Sequence, residues 1–166
     1  MAKEFNEMYN EFMTKLKKAA PNESGLWTLH DAFGAAKKAN SRMPLEMWIN
    51  TIHPFAKMIF DKNQTFFLSN DKLTKVANEG EGTMNTMEQL ASLWSNDLTE
   101  KTRQSIWTYL QNLCILSYTA IGIDIAFDPD KLKNVLETSH EFLPDDYSQI
   151  GQGPPIVAEL KKRFVG

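Results

Sequence analysis

The sequence predicts an all-α protein, a single-domain bundle of about six to seven helices around a central apolar helix. Three observations carry that expectation. Apolar residues recur at three and four positions along most of the chain, strict alternation over six residues is found nowhere, and capping or breaking residues punctuate the pattern at helix-length intervals. No internal repeat is visible. A chain of 166 residues fits one domain. A domain of that size buries about 70% of its unfolded surface on folding. Hydrophobic residues at 42% and charged residues at 23% are those of a globular chain, not a disordered one.

The central element is the stretch Ile106 to Phe127, the longest run dominated by apolar and aromatic residues. Ile106, Leu110, Leu113, Ser117 and Ile121 share one side at helical spacing. Trp107, Tyr109, Cys114, Leu116 and Ala120 fill the neighbouring arcs, so the helix is apolar around most of its circumference and belongs in the middle of the domain. It is not a membrane span, because Gln111, Asn112, Ser117 and Asp124 interrupt a run that would need ~18 apolar residues. Asp97 or Thr99 caps its start near Glu100. Gly122 lies near its end, with Ile123 to Ile125 able to prolong it.

Ahead of it, Phe5, Met8, Tyr9, Phe12, Met13 and Leu16 define an amphipathic helix from about Ala2 to Ala19, stopped by Pro21. Leu26, Leu29, His30, Phe33 and Ala36 carry a second helix to about Lys38. Pro44 suits a first helical position, and Leu45, Trp48, Ile49, Ile52, Phe55 and Ile59 extend the face beyond it. Pro54 falls inside that pattern. Having no amide to donate and a ring that crowds the preceding turn, it predicts a kink or two helices meeting there. Asp61 to Thr65 reads as a turn and Phe66 to Leu68 as an apolar plug. Ser69 to Gly82 is polar and commits to nothing, after which Thr83 caps a helix with Met84, Met87, Leu90, Ala91 and Trp94 on one face.

Beyond the central helix, Asp128 followed by Pro129 starts a short helix through Leu132, Val135 and Leu136. Residues 140–155 form a long loop rich in Pro, Gly and Asp, of a length that is usually functional or mobile. A last helix runs from Pro155 to Val165.

Charge and chemistry narrow the function. Eighteen Lys and Arg against twenty-one Asp and Glu give a net charge of −3, so no global positive field draws in a phosphate backbone, and a nucleic-acid partner is disfavoured. The N-terminal segment mixes acids with bases and has no apolar core, unlike a signal or transit peptide, so an intracellular protein is expected. Cys114 is a single cysteine in an apolar run and reads as a small buried hydrophobe. His30, His53 and His140 are far apart in sequence, and no pair has the spacing that places two ligands on one helix face. Asp124, Asp128 and Asp130 approach a calcium-loop spacing but lack its glycine and terminal glutamate, leaving helix capping as the simpler role. No phosphate-binding, nucleophile-elbow, zinc-protease or dithiol motif occurs. The expectation is a protein without enzymatic activity, metal or cofactor.

Aromatic residues point to interaction instead. On a helix Trp107 and Tyr109 project about 160° apart. One of them therefore faces a second layer or a partner. Met87 and Trp94 are expected to line a helix-binding groove beside the central helix. Lys161, Lys162 and Arg163 close the last helix, where cations complement its dipole and offer the best site for an acidic or phosphate contact.

Two blocks of sequence also resemble a known group. Pro54-Phe55 leads to Asp61 and Phe66-Phe67-Leu68; Leu90 and Leu93-Trp94 lead through Leu98 and Lys101 to Ile106-Trp107, Tyr109-Leu110 and Leu113. This pattern, over about residues 45–117, is similar to a poorly characterised group of small helical proteins of nucleocytoplasmic large DNA viruses, the giant viruses of algae and protists. The resemblance implies a viral protein in the host cytoplasm or the virion, and more specifically a minor structural component beneath or between capsid subunits. Its partners would be capsid proteins or further copies of itself. A structural, scaffolding or protein-interaction role is therefore expected. The rival expectations are a nucleic-acid-associated factor using the C-terminal basic helix and a helix-groove adaptor.

Overall fold

A computed structural model describes residues 2–63, 90, 93, 98–125, 128–139 and 156–165. The architecture is an all-α, single-domain bundle. In chain order the described helices are α1 (Ala2–Ala19), α2 (Ser24–Ala39), α3 (Met43–Ile52), a single 3-10 turn (His53–Phe55), α4 (Ala56–Asp61), α5 (Glu100–Ala120), α6 (Pro129–Thr138) and α7 (Ile156–Phe164). The expected helix from Thr83 to Trp94 and the loop at 140–155 lie outside the described residues, apart from Leu90 and Leu93, both of which are buried in the core.

α5 organises the bundle. It packs against α1, α3 and α4, while α2 closes over α1 and α3, and α7 docks on α3. Ile106, Trp107, Leu110, Leu113, Cys114, Ser117 and Tyr118 are its buried face. Thr108, Asn112 and Thr119 are exposed on the other side. The helix is thus less thoroughly buried than its composition suggests, because its polar residues fall together on one outward stripe. No described helix is long and apolar enough to cross a membrane.

The ends of α5 are specified locally. The Thr99 side chain accepts from the backbone N–H of Thr102, which selects Thr99 over Asp97 as the cap. At the other end Ile123 N–H reaches Tyr118 O at 3.0 Å and Gly122 N–H reaches Thr119 O at 3.1 Å, the paired bonds of a Schellman motif. Gly122 adopts φ 98°, which a side chain would strain, so the chain stops being helical there and Ile123 to Ile125 do not extend α5. A long-range contact completes the cap: Arg42 Nη2 donates to Ala120 O at 3.2 Å.

Pro54 separates two helices as its chemistry requires. α3 ends at Ile52, the 3-10 turn carries the proline, and α4 follows until Lys62, at φ 51°, terminates it in the left-handed conformation. The last carbonyls of α4 find a tertiary donor, since Gln111 Nε2 bonds Ile59 O at 3.1 Å. α7 is anchored in the same manner at its other pole, where Val157 N–H donates to Asn50 Oδ1 of α3 at 3.2 Å.

Candidate functional site

Two places in the described structure concentrate chemistry, one sealed and one open. The sealed one is built around His53. Its position in the 3-10 turn aims the ring between α5 and the end of α6, where Nδ1 lies 2.7 Å from Tyr118 Oη and Nε2 lies 2.8 Å from Ser139 Oγ. The Ser139 hydroxyl also donates to Leu136 O at 3.3 Å. One placement of protons serves all three groups: Tyr118 donates to Nδ1, Nε2 donates to Ser139, and Ser139 donates to Leu136 O.

In that tautomer the serine proton points at the Leu136 carbonyl and the imidazole donates to the serine, the reverse of a nucleophile and its base; the opposite tautomer exchanges the roles of His53 and Ser139. Ser139 is fully buried, so its hydroxyl is closed to substrate in this conformation. Burial pushes the His53 pKa down to about 4 and the Tyr118 phenol well up. The neutral forms are therefore held, and the cluster is a three-way bracket joining the 3-10 turn, α5 and α6. Cys114, one turn before Tyr118, is also sealed, its thiol pushed up to about 12 by burial. The indole of Trp48 lies beside it and slightly opposes that rise. Among the described residues the indole N–H has no nitrogen or oxygen acceptor.

The open site is a cleft of about 430 Å³ between α4 and α6, floored by α5. Phe60, Ile115, Ile125, Leu132 and Leu136 make its walls. On α6 the wall residues follow from the sequence: Asp128 caps the helix by accepting from Asp130 N–H at 3.0 Å and Lys131 N–H at 3.4 Å, which sets the register in which Leu132 and Leu136 share one side. α4, which follows the turn at Pro54, presents Lys57, Phe60 and Asp61 to the same space. Volume and apolar lining are those of a binding site for an apolar group.

The residues expected to mediate interactions are placed differently. Trp107 is 2% exposed and belongs to the core. Tyr109 stacks on Phe12 of α1, with ring centroids 5.1 Å apart, and Lys15 lies 5.2 Å over its ring. Trp107 is thus sealed in the core, while Tyr109, half-buried, meets a second layer, α1. Met87 and Trp94 lie outside the described residues. Lys161 and Lys162 are exposed at the end of α7, whereas Arg163 donates to the Thr138 carbonyl and so helps cap α6. His30 bonds Asn10 Oδ1 at 2.6 Å and joins two helices. Among the described residues no group of three or more His, Cys, Asp or Glu is disposed to hold a metal ion.

Neither the His53 cluster nor the α4–α6 cleft is marked by a sequence motif. Tyr118 and Ser139 lie 65 and 86 residues from His53, too far for any local pattern. A usable signal for the cleft did exist: Leu132 and Leu136 repeat on a helix too short to be buried on every side. Comparison with protein-family models, with curated proteins and with solved structures finds no match for this chain.

Proposed function

We propose that this chain is a non-enzymatic protein-interaction protein, structural or scaffolding in role, which takes apolar side chains of a partner into the cleft between α4 and α6. The carrying observation is the cleft itself: about 430 Å³ with walls of Phe60, Ile115, Ile125, Leu132 and Leu136, ringed by charged side chains. Apolar walls inside a polar rim are how protein contact sites are organised. The resemblance to small helical proteins of giant viruses supplies the proposed setting, a minor virion component made in the host cytoplasm, with capsid proteins or further copies as partners.

The experiment is quantitative mass spectrometry of what co-purifies with the full chain and with a Leu132→Lys variant at moderate salt. A partner retained by the parent chain and lost by the variant, with helicity and melting temperature preserved, supports the proposal. Identical sets of co-purifying proteins defeat it. The rival role, a nucleic-acid factor working through Lys161, Lys162 and Arg163, draws on fewer free cations than the sequence suggests, because Arg163 is engaged with Thr138 O. It would show as binding that weakens steeply with salt and vanishes when the three residues are neutralised.

A further inference from the structure

The rim of the cleft carries two bases, Lys57 and Lys133, and three acids, Asp61, Asp128 and Glu137. Most of these charges are already committed. Asp128 accepts from the first amides of α6, and Lys133 faces Glu137 at 3.9 Å. Lys57 and Asp61 are different. They stand one turn apart on α4, exposed, with no ion pair or hydrogen bond from either side chain among the described residues.

We propose that the occupant of the cleft is an amphipathic helix of a partner protein, whose apolar stripe enters the cleft and whose flank sets one acid against Lys57 and one base against Asp61. This rests on the cleft being the contact site. Two helices one groove apart form a trough into which a third helix lays its apolar stripe. Charge decides between this occupant and a small amphiphile. A fatty acid or another anionic amphiphile would satisfy Lys57 but place its head group in a rim with more acids than bases, whereas a flank bearing both signs answers both free side chains. A purely basic or purely acidic helix would answer one and be repelled by the other.

The test uses the full chain and three synthetic helical peptides with the same leucine stripe, differing in two flanking positions one turn apart: acid with base, two acids, or two bases. Affinity is read by fluorescence anisotropy at moderate salt. The mixed peptide is expected to bind about five-fold more tightly than either of the others, the scale of two exposed ion pairs. In Lys57→Glu the preference moves to the two-base peptide, and in Asp61→Lys it moves to the two-acid peptide. Equal binding of all three peptides, unchanged in both variants but abolished by Leu132→Lys, overturns the charge reading and leaves the cleft as the contact site. Absence of binding, or binding that survives Leu132→Lys in a folded protein, overturns both. Saturable binding of laurate that is lost in Lys57→Glu, with no peptide binding, overturns the helix occupant in favour of a small amphiphile.

Discussion

Acidification should unfold this protein through His53, by an amount that its environment sets. The imidazole is 3% exposed and held neutral between Tyr118 and Ser139, with its pKa lowered from 6.5 to about 4. Between those values the unfolded chain binds a proton that the folded chain refuses, so stability rises with pH across the window. The contribution is fully present above pH 6.5 and is lost as pH falls through 4. Integrated from pH 8 to pH 4, a depression of that size is worth about 3 kcal/mol, a large share of a typical domain's stability. Burial gives the reason: the charged imidazolium would lose its hydration in the sealed space between α5 and the end of α6, so the neutral ring is favoured there. Urea unfolding of the parent chain and of His53→Gln, at half-unit steps from pH 8 to pH 4, isolates this contribution, because carboxylate effects are common to both. The parent should lose about 3 kcal/mol more than the variant. Parallel pH profiles, or an imidazole resonance titrating near 6.5 in the folded protein, would falsify the assignment.

Three further outcomes follow from other parts of the core. Trp107→Ala should cost about 3–5 kcal/mol as a large cavity in the sealed core, and Tyr109→Ala only about 1–2 kcal/mol because its ring is half-buried against Phe12; equal losses in urea unfolding would contradict the layering of α1 on α5. Gly122→Ala should cost about 1–2 kcal/mol, most of it backbone strain at φ 98°, because the 3.2 Å contact its Cβ would make is with the end of the exposed Val165 side chain, which can move; a neutral substitution would mean that the α5 terminus is not held as described. The Cys114 thiol, raised from 9.0 to about 12, should react with a disulfide reagent at pH 8 about a thousand-fold more slowly in the folded chain than in urea, and comparable rates would show that the core around it opens readily.

How much of this was legible in the sequence depends on the range of the interaction concerned. α1 runs from Ala2 to Ala19 as its apolar period dictates, and the Asp128–Pro129 start, the break at Pro54 and the stop at Gly122 all lie where local chemistry places them. These are decisions made within one turn of helix. The tertiary caps were invisible: Arg42 on Ala120, Gln111 on Ile59 and Asn50 on Val157 join residues at least 52 positions apart, and each donor or acceptor reads in sequence as an ordinary polar surface residue. Trp107 and Tyr109 show the limit most clearly. Trp107 lies in the core and Tyr109 against Phe12, but the sequence does not say that α1 waits beside Tyr109.

The same division of labour explains why the cleft is open while the His53 bracket is closed. Both are built from the neighbourhood of Pro54 and from α6. A residue just before the break, His53, is turned inward and finds partners on α5 and α6, sealing that end of the contact with polar bonds that need a fixed geometry. Residues just after it, Lys57, Phe60 and Asp61, lie on a short helix that starts from the 3-10 turn carrying the proline and whose far end is pinned by Gln111. α4 is thus held at both ends, as α6 is held by its Asp128 cap at one end and by Ser139 and the Arg163 contact at the other. Two lips fixed independently of the space between them keep apolar walls apart that would otherwise collapse together. A cleft maintained in this way is already shaped, so the partner proposed above would spend little of its binding free energy on reorganising the protein.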